Sequence, residues 1–197
     1  MAASSSNPIS SENYEIRASS IPGAGKGMFA KRPFAAGDYI IAEDRLCSAL
    51  LALDSDGILK HSPGAVDKAI EELTPTELDS FRALRGSNDR DIWMTNAYKC
   101  PGSPGSTSPD TSAIFPTLAR INHSCDPNAE PEFHGLVKIR AKRDIAAGDE
   151  IFISYKEMSE DDDREKRWEA LKNFHFECRC PACEGNMTIG QVRRERE

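Results

Sequence analysis

Three cysteines within six residues, Cys178, Cys180 and Cys183, form the most chemically demanding pattern in the sequence. Clustered thiols flanked by arginine and proline make poor core material. Thiolates are natural ligands for zinc, which takes four donors in a tetrahedron, each about 2.3 Å from the metal. The cluster predicts one structural zinc ion whose fourth ligand comes from elsewhere. Cys47, Cys100 and Cys125 compete for that place. Cys125 is favoured because the following Asp126-Pro127-Asn128 turn presents it on a fixed backbone. The competing reading, that all these are ordinary buried thiols, stays open.

Three further groups could do chemistry. Asn122 and His123 directly precede Ser124 and Cys125, and an amide beside an imidazole could hold the two ends of a nucleoside cofactor. Against that, a single histidine is more often a satisfied structural residue. The bend Gly23-Ala24-Gly25-Lys26-Gly27, leading into Met28, brings three glycines into five residues. Glycine lets backbone approach a charged ligand closely, but Lys26 is followed by Gly27 rather than Ser or Thr, so the nucleotide-phosphate loop pattern fails and a simple turn is equally compatible. Tyr155 ends an apolar strand, where its phenol would sit at a sheet edge, as a functional group or as plain packing.

The elements that must position these groups are short. Tyr14 to Asp44 reads as strands and turns, with Tyr39-Ile40-Ile41 following Gly37-Asp38, and Phe133 to Tyr155 returns to strand around Gly148-Asp149. The two regions echo each other: AKRPFAAGDYII from Ala30 and AKRDIAAGDEIF from Ala141 read as matched ribbons of one fold. Between them, Thr74-Pro75-Thr76-Glu77 predicts a capped helix with Leu78, Phe81 and Leu84 on one face and Gly86 as a stop. Val66 to Leu73 suggests another. Ser159 to Phe174 reads as a helix capped by Ser159, with Asp161 to Asp163 in its first turn and Trp168, Leu171 and Phe174 buried.

This gives a mostly β fold with short helices, of the α+β class. Its parts are a disordered start over 1–12, one main domain over 13–157 with a helical insert over about 60–95 and a mobile loop over 101–112, a helix and cysteine segment over 158–185, and a charged tail over 186–197 that is expected to be frayed or disordered. At 197 residues and a net charge of −7, with basic residues scattered, the composition disfavours direct nucleic-acid binding and suits a basic protein partner. No apolar run approaches the ~20 residues a membrane span needs. The amino terminus, MAASSSNPIS, lacks the apolar stretch of a secretory signal, so the expected compartment is reducing, nucleus or cytoplasm.

Taken in chain order, GAGKG, RINHSCDPN, GDEIFISY and FECRCPAC resemble the SET-domain family of protein-lysine methyltransferases, over roughly Tyr14 to Cys183. TNAY, FPTLARINHSC, ISY and the charged helix running into FHFEC look most like the SET- and MYND-containing branch and its fungal relatives. The MYND finger itself is missing, as is the helical carboxyl-terminal domain of the larger relatives. The resemblance implies a β-clip fold with knot-like threading of its carboxyl-terminal part and a zinc-binding post-SET segment. It implies a monomeric enzyme moving a methyl group from S-adenosylmethionine to a lysine of a protein such as a histone tail. Tyr155 would be catalytic. Lys26, Gly27, Met28, Asn96, Asn122, His123, Tyr155 and Phe176 would contact the cofactor, and Cys125, Cys178, Cys180 and Cys183 would hold zinc. A non-catalytic module binding basic tails, or methylation of a small molecule, is the alternative.

Overall fold

The computed structural model describes residues 11–53, 55–56, 59–101, 109–174 and 176–196. In chain order its strands are β1 (Tyr14–Ala18), β2 (Lys26–Ala30), β3 (Tyr39–Glu43), β4 (Cys47–Leu53), β5 (Leu59–His61), β6 (Tyr98–Cys100), β7 (Thr111–Ile114), β8 (Asn122–His123), β9 (Ala129–His134), β10 (Leu136–Ala141) and β11 (Glu150–Ile153). The helices are α1 (Ala65–Glu71), α2 (Pro75–Arg82), α3 (Asp89–Asn96), α4 (Arg164–Leu171), α5 (Pro181–Glu184) and α6 (Ile189–Arg194). The chain divides into two compact units, one of residues 1–42, 120–132 and 138–197, the other of residues 43–119 and 133–137.

In the first unit the internal echo becomes a pseudo-twofold arrangement. One sheet runs β1-β2-β11-β8 and another β3-β10-β9. Each half-repeat therefore lends a strand to its counterpart: β2 pairs with β11 of the later copy, and β10 with β3 of the earlier one. The hydrogen bonds between the copies come in matched sets. Phe34 and Ile145 exchange backbone bonds of 2.9 Å in both directions, Gly37 N donates to Ala141 O as Gly148 N donates to Ala30 O, and Ala141 N bonds Asp38 O as Ala30 N bonds Asp149 O. Equivalent glycines, Gly37 at φ 93° and Gly148 at φ 90°, take the left-handed conformation each turn requires. Met28, Phe34, Ile40, Ile139, Ile145 and Ile151 fill the interior.

The second unit packs α1, α2 and α3 with a sheet ordered β5-β4-β7-β6. Its core holds Ala49, Phe81, Ile92, Trp93 and Ile114. The expected cap is present: the Thr74 side chain accepts from the Glu77 N–H and Glu77 returns the bond, with Pro75 opening α2. The helix α3 closes the helical insert expected over about 60–95, although no separate helix is expected there; Asn88 caps it by accepting from the Asp91 N–H.

Three expectations change. The helix expected to start at Ser159 begins at Arg164, capped by Asp163, because Ser159 to Asp162 closes a turn in which the Ser159 N–H donates to the Asp162 carboxylate at 2.8 Å. The acids precede the helix rather than occupying its first turn. The charged tail is ordered in part, with α6 held by a Thr188/Gln191 capping box and by Ile189, which is buried. The segment expected as a loop over 101–112 gives up Thr111 and Ser112 to β7, while 102–108 and most of the expected disordered start lie outside the described residues. Among the described residues no helix is long and apolar enough to cross a membrane.

Candidate active site and metal centre

Two strands converge on the site. β8 and β11 run parallel, with Phe152 opposite Asn122 and Ile153 opposite His123. The Asn128 side chain grips β11, its oxygen accepting from Phe152 N at 2.7 Å and its nitrogen donating to Glu150 O at 2.8 Å. Just past β11, the Tyr155 N–H donates to His123 Nδ1 at 3.1 Å, and the Tyr155 hydroxyl donates to the Ile121 carbonyl at 2.8 Å. With Nδ1 accepting, the neutral ring carries its proton on Nε2, which donates to Cys125 Sγ at 3.4 Å. Burial pushes the His123 pKa down to about 4, so it stays neutral at physiological pH. One imidazole thus ties the tyrosine to the cysteine group. Both its nitrogens are committed, so any cofactor contact at this residue falls to its backbone.

Around the phenol stand aromatic rings: His123 at 5.3 Å between centroids, Phe174 at 5.2 Å, and Phe176 edge-on at 6.3 Å. Tyr155, Phe174 and Phe176 pack against the cysteine group in one apolar cluster.

The glycine bend forms a second wall. Gly23 and Gly25 have positive φ, Lys26 is exposed, and Met28 is buried with its side chain in the core. Glu150, missed in the sequence because an acid opening a strand reads as a solvated edge, organises this wall. It accepts from the Ser19 hydroxyl at 2.8 Å, from the Ser20 N–H at 2.7 Å and hydroxyl at 2.6 Å, and from Asn122 Nδ2 at 3.1 Å. The same Asn122 nitrogen donates to the Lys26 carbonyl at 3.0 Å. Gly27 permits the approach, since a Cβ there would lie 1.9 Å from Glu150 Oε1. Gly27→Ala should therefore displace either the carboxylate or β2, at a cost of about 1–3 kcal/mol. Isothermal titration would show cofactor affinity falling more than the melting temperature does, and unchanged affinity would count against this wall as a binding surface. Asn96 belongs to the second unit, where its amide nitrogen donates to the Arg85 and Ile92 carbonyls, both at 2.7 Å.

The four thiols of Cys125, Cys178, Cys180 and Cys183 come together, all buried and with their sulfurs within 4.8 Å of one another. Cys125 lies 3.7 Å from Cys178 and 3.6 Å from Cys183. A disulfide would need about 2.05 Å. Bonds of about 2.3 Å to a central zinc ion imply sulfur separations of about 3.8 Å, so the donor set and spacing fit that ion. Local backbone explains the arrangement: Pro181 opens α5 with Cys180 as its cap, placing Cys180 and Cys183 one turn apart, while the Cys180 N–H points at Cys178 Sγ at 3.5 Å. Hydrogen bonds from its three neighbours, Cys125 first, hold the Cys180 thiol far below the usual range, and Cys125 and Cys178 bring Cys183 down to about 7. Cys125 and Cys178 are pushed the other way, above the usual range, so the four sulfurs share protons unequally, and a metal, which binds thiolate, would displace the protons that remain. Cys47 and Cys100, the other candidates for fourth ligand, lie in the second unit, outside this group.

The comparisons with known proteins agree with this geometry. A SET domain family model matches residues 25–156. The histone-lysine N-methyltransferase set5 of Schizosaccharomyces pombe is 27% identical over 186 residues, covering 90% of this chain and 52% of that protein. The N-lysine methyltransferase SMYD2-A of Xenopus laevis is 45% identical over 74 residues, covering 36% of this chain and 17% of its own length. The SET domain and MYND-type zinc finger protein 6 of Schizosaccharomyces pombe is 40% identical over 76 residues, 38% of this chain and 16% of that relative. The chain thus spans about half the length of one of these relatives and under a fifth of the other two. Its matched core, from the glycine bend to the strand that carries Tyr155, makes it a member of the SET-domain family.

Proposed function

We propose that the protein transfers a methyl group from S-adenosylmethionine to the side-chain amine of a lysine in a protein substrate, and that its four-cysteine group holds one zinc ion. The observation that carries this reading is the placement of Tyr155, whose ring packs on His123 and Phe176 in the same apolar cluster as the thiols.

The cofactor, when bound, supplies an already activated methyl on a sulfonium, so the protein has mainly to align a neutral amine with it. Tyr155 is the orienting group: its hydroxyl and the Ile121 carbonyl beside it would direct the amine's lone pair and stabilise charge as it shifts. No strong general base is required, because the incoming amine can lose its proton to water. Lys26, Gly27, Met28 and Asn122 would hold the amino-acid and ribose portions, the first three largely through backbone, with Glu150 fixing Asn122 against the bend. His123 would contribute its backbone, and Phe176, half-exposed beside it, would cover the adenine. The zinc ion would fix the carboxyl-terminal segment that carries Phe176.

A histone tail is the first substrate class to try, given the name of the set5 relative and a net charge of −7 that suits a basic partner. Free thiols at all the described cysteines suit the nucleus or cytoplasm. The test is direct: zinc-loaded protein incubated with methyl-labelled cofactor, core histones and cell lysate should label protein, and hydrolysis should return the label in methyl-lysine. Absence of label in lysine from any protein would overturn the reading.

A further inference from the structure

Arg167, on α4, is fully buried at 0% exposure. Its Nη1 donates to the Asp162 carbonyl. Its Nη2 donates to the Met187 carbonyl at 3.0 Å, and also lies 3.4 Å from the Ala182 carbonyl and 3.6 Å from Cys183 Sγ. Its Nε is buried with no acceptor. Among the described residues, no carboxylate pairs with it.

That is an unusual setting for a guanidinium. An arginine cannot escape burial by losing its proton, and a desolvated charge persists only where an opposite charge faces it. The three carbonyls contribute dipoles, not charge. What remains is the sulfur of Cys183, one of four thiols gathered within 4.8 Å. Four thiolates around a divalent cation leave two surplus negative charges, which makes such a centre the missing counterpart.

We infer that Arg167 is the counter-charge of the cysteine metal centre, neutralising part of its excess and making the sulfurs poorer targets for protons and chelators. The same guanidinium spans α4, α5 and the turn at Met187, so the charge balance and the packing of the carboxyl-terminal segment share one side chain. The inference rests on the zinc reading above.

The experiment follows zinc release from the 197-residue chain to a chromogenic chelator, for wild type, Arg167→Met and Arg167→Lys. Wild type should hold one zinc per chain. The methionine variant, which keeps the length of the stem but neither the guanidinium nor its charge, should release it about 10–100-fold faster, the usual scale for losing a group that supports a metal ligand. The lysine variant should stay nearer to wild type. In the cobalt-substituted proteins the thiolate-to-cobalt charge-transfer band should move to lower energy in Arg167→Met, since sulfur lone pairs rise when a facing positive charge is removed; a packing role alone would leave it in place. Equal release rates in wild type and Arg167→Met, a lysine variant as leaky as the methionine one, or an unmoved band would each overturn the inference. Should Arg167→Met fail to fold, Arg167→Gln, also uncharged, decides by the same readouts: a band at lower energy with faster release supports the counter-charge, and an unmoved band refutes it. Wild type that binds no zinc would instead overturn the zinc reading itself.

Discussion

Cys178→Ser should strip the protein of zinc and loosen everything from α4 onward. Structural zinc sites in small peptides contribute apparent free energies of about 10–16 kcal/mol at neutral pH, more than a typical domain's whole margin of stability at the upper end. Here the thiols are the centre on which the segment's apolar side chains pack. Its apolar partners are Leu171, Ala182 and Ile189, with half-buried rings at Trp168, Phe174 and Phe176, all packed on the thiols. Trp168 is tied in too, its indole N–H donating to the Cys178 carbonyl at 3.1 Å. Elemental analysis should find the variant well below one zinc per chain, hydrogen exchange over residues 164–194 should accelerate, and retention of cofactor should fall with them. Full zinc occupancy in the variant would remove Cys178 from the ligand set.

Tyr155→Phe should leave the fold intact and remove the chemistry. The phenylalanine ring keeps its packing on His123, Phe174 and Phe176, and the backbone N–H still reaches His123 Nδ1. What disappears is the hydroxyl and its 2.8 Å bond to Ile121 O, worth about 1 kcal/mol to stability. Turnover should drop far more, by about 10²–10³, the scale seen when one positioned donor is removed from a transition state. Cofactor affinity should change little. Single-turnover rates beside cofactor titration would separate the two, and a variant that turns over like wild type would deny Tyr155 its role.

Sequence reading reached furthest where chemistry is local. The capping box at Thr74 and Glu77 is contained in four residues, and the structure forms it as written. The three clustered cysteines announce themselves by spacing, and the turn after Cys125 gave a reason to look there for a fourth. The echo around Ala30 and Ala141 was visible as matched ribbons, but its strand exchange was not, because pairing partners leave no mark on either copy. Glu150 escaped for a related reason: its serine and asparagine partners sit at sequence separations of 131 and 28 residues. The basic tail looked solvated because its anchor is distant. Asp126, buried beside the cysteine group, receives Arg143, Arg193 and Arg196, and only the folded chain brings those charges together. The misplaced start of α4 had a different origin, since Ser159 and Asp163 are both competent caps and only the intervening turn decides between them.

The traded strands have a consequence for how the chain is made. A ribosome delivers β1 and β2 long before β11 exists, so the edge of β2 must wait, unpaired, through the synthesis of the whole second unit and most of the later copy. Unpaired edges of that kind invite aggregation, and pairings so distant in sequence form slowly. The nascent protein is then most vulnerable in mid-translation, and its earliest sheet is among the last to close.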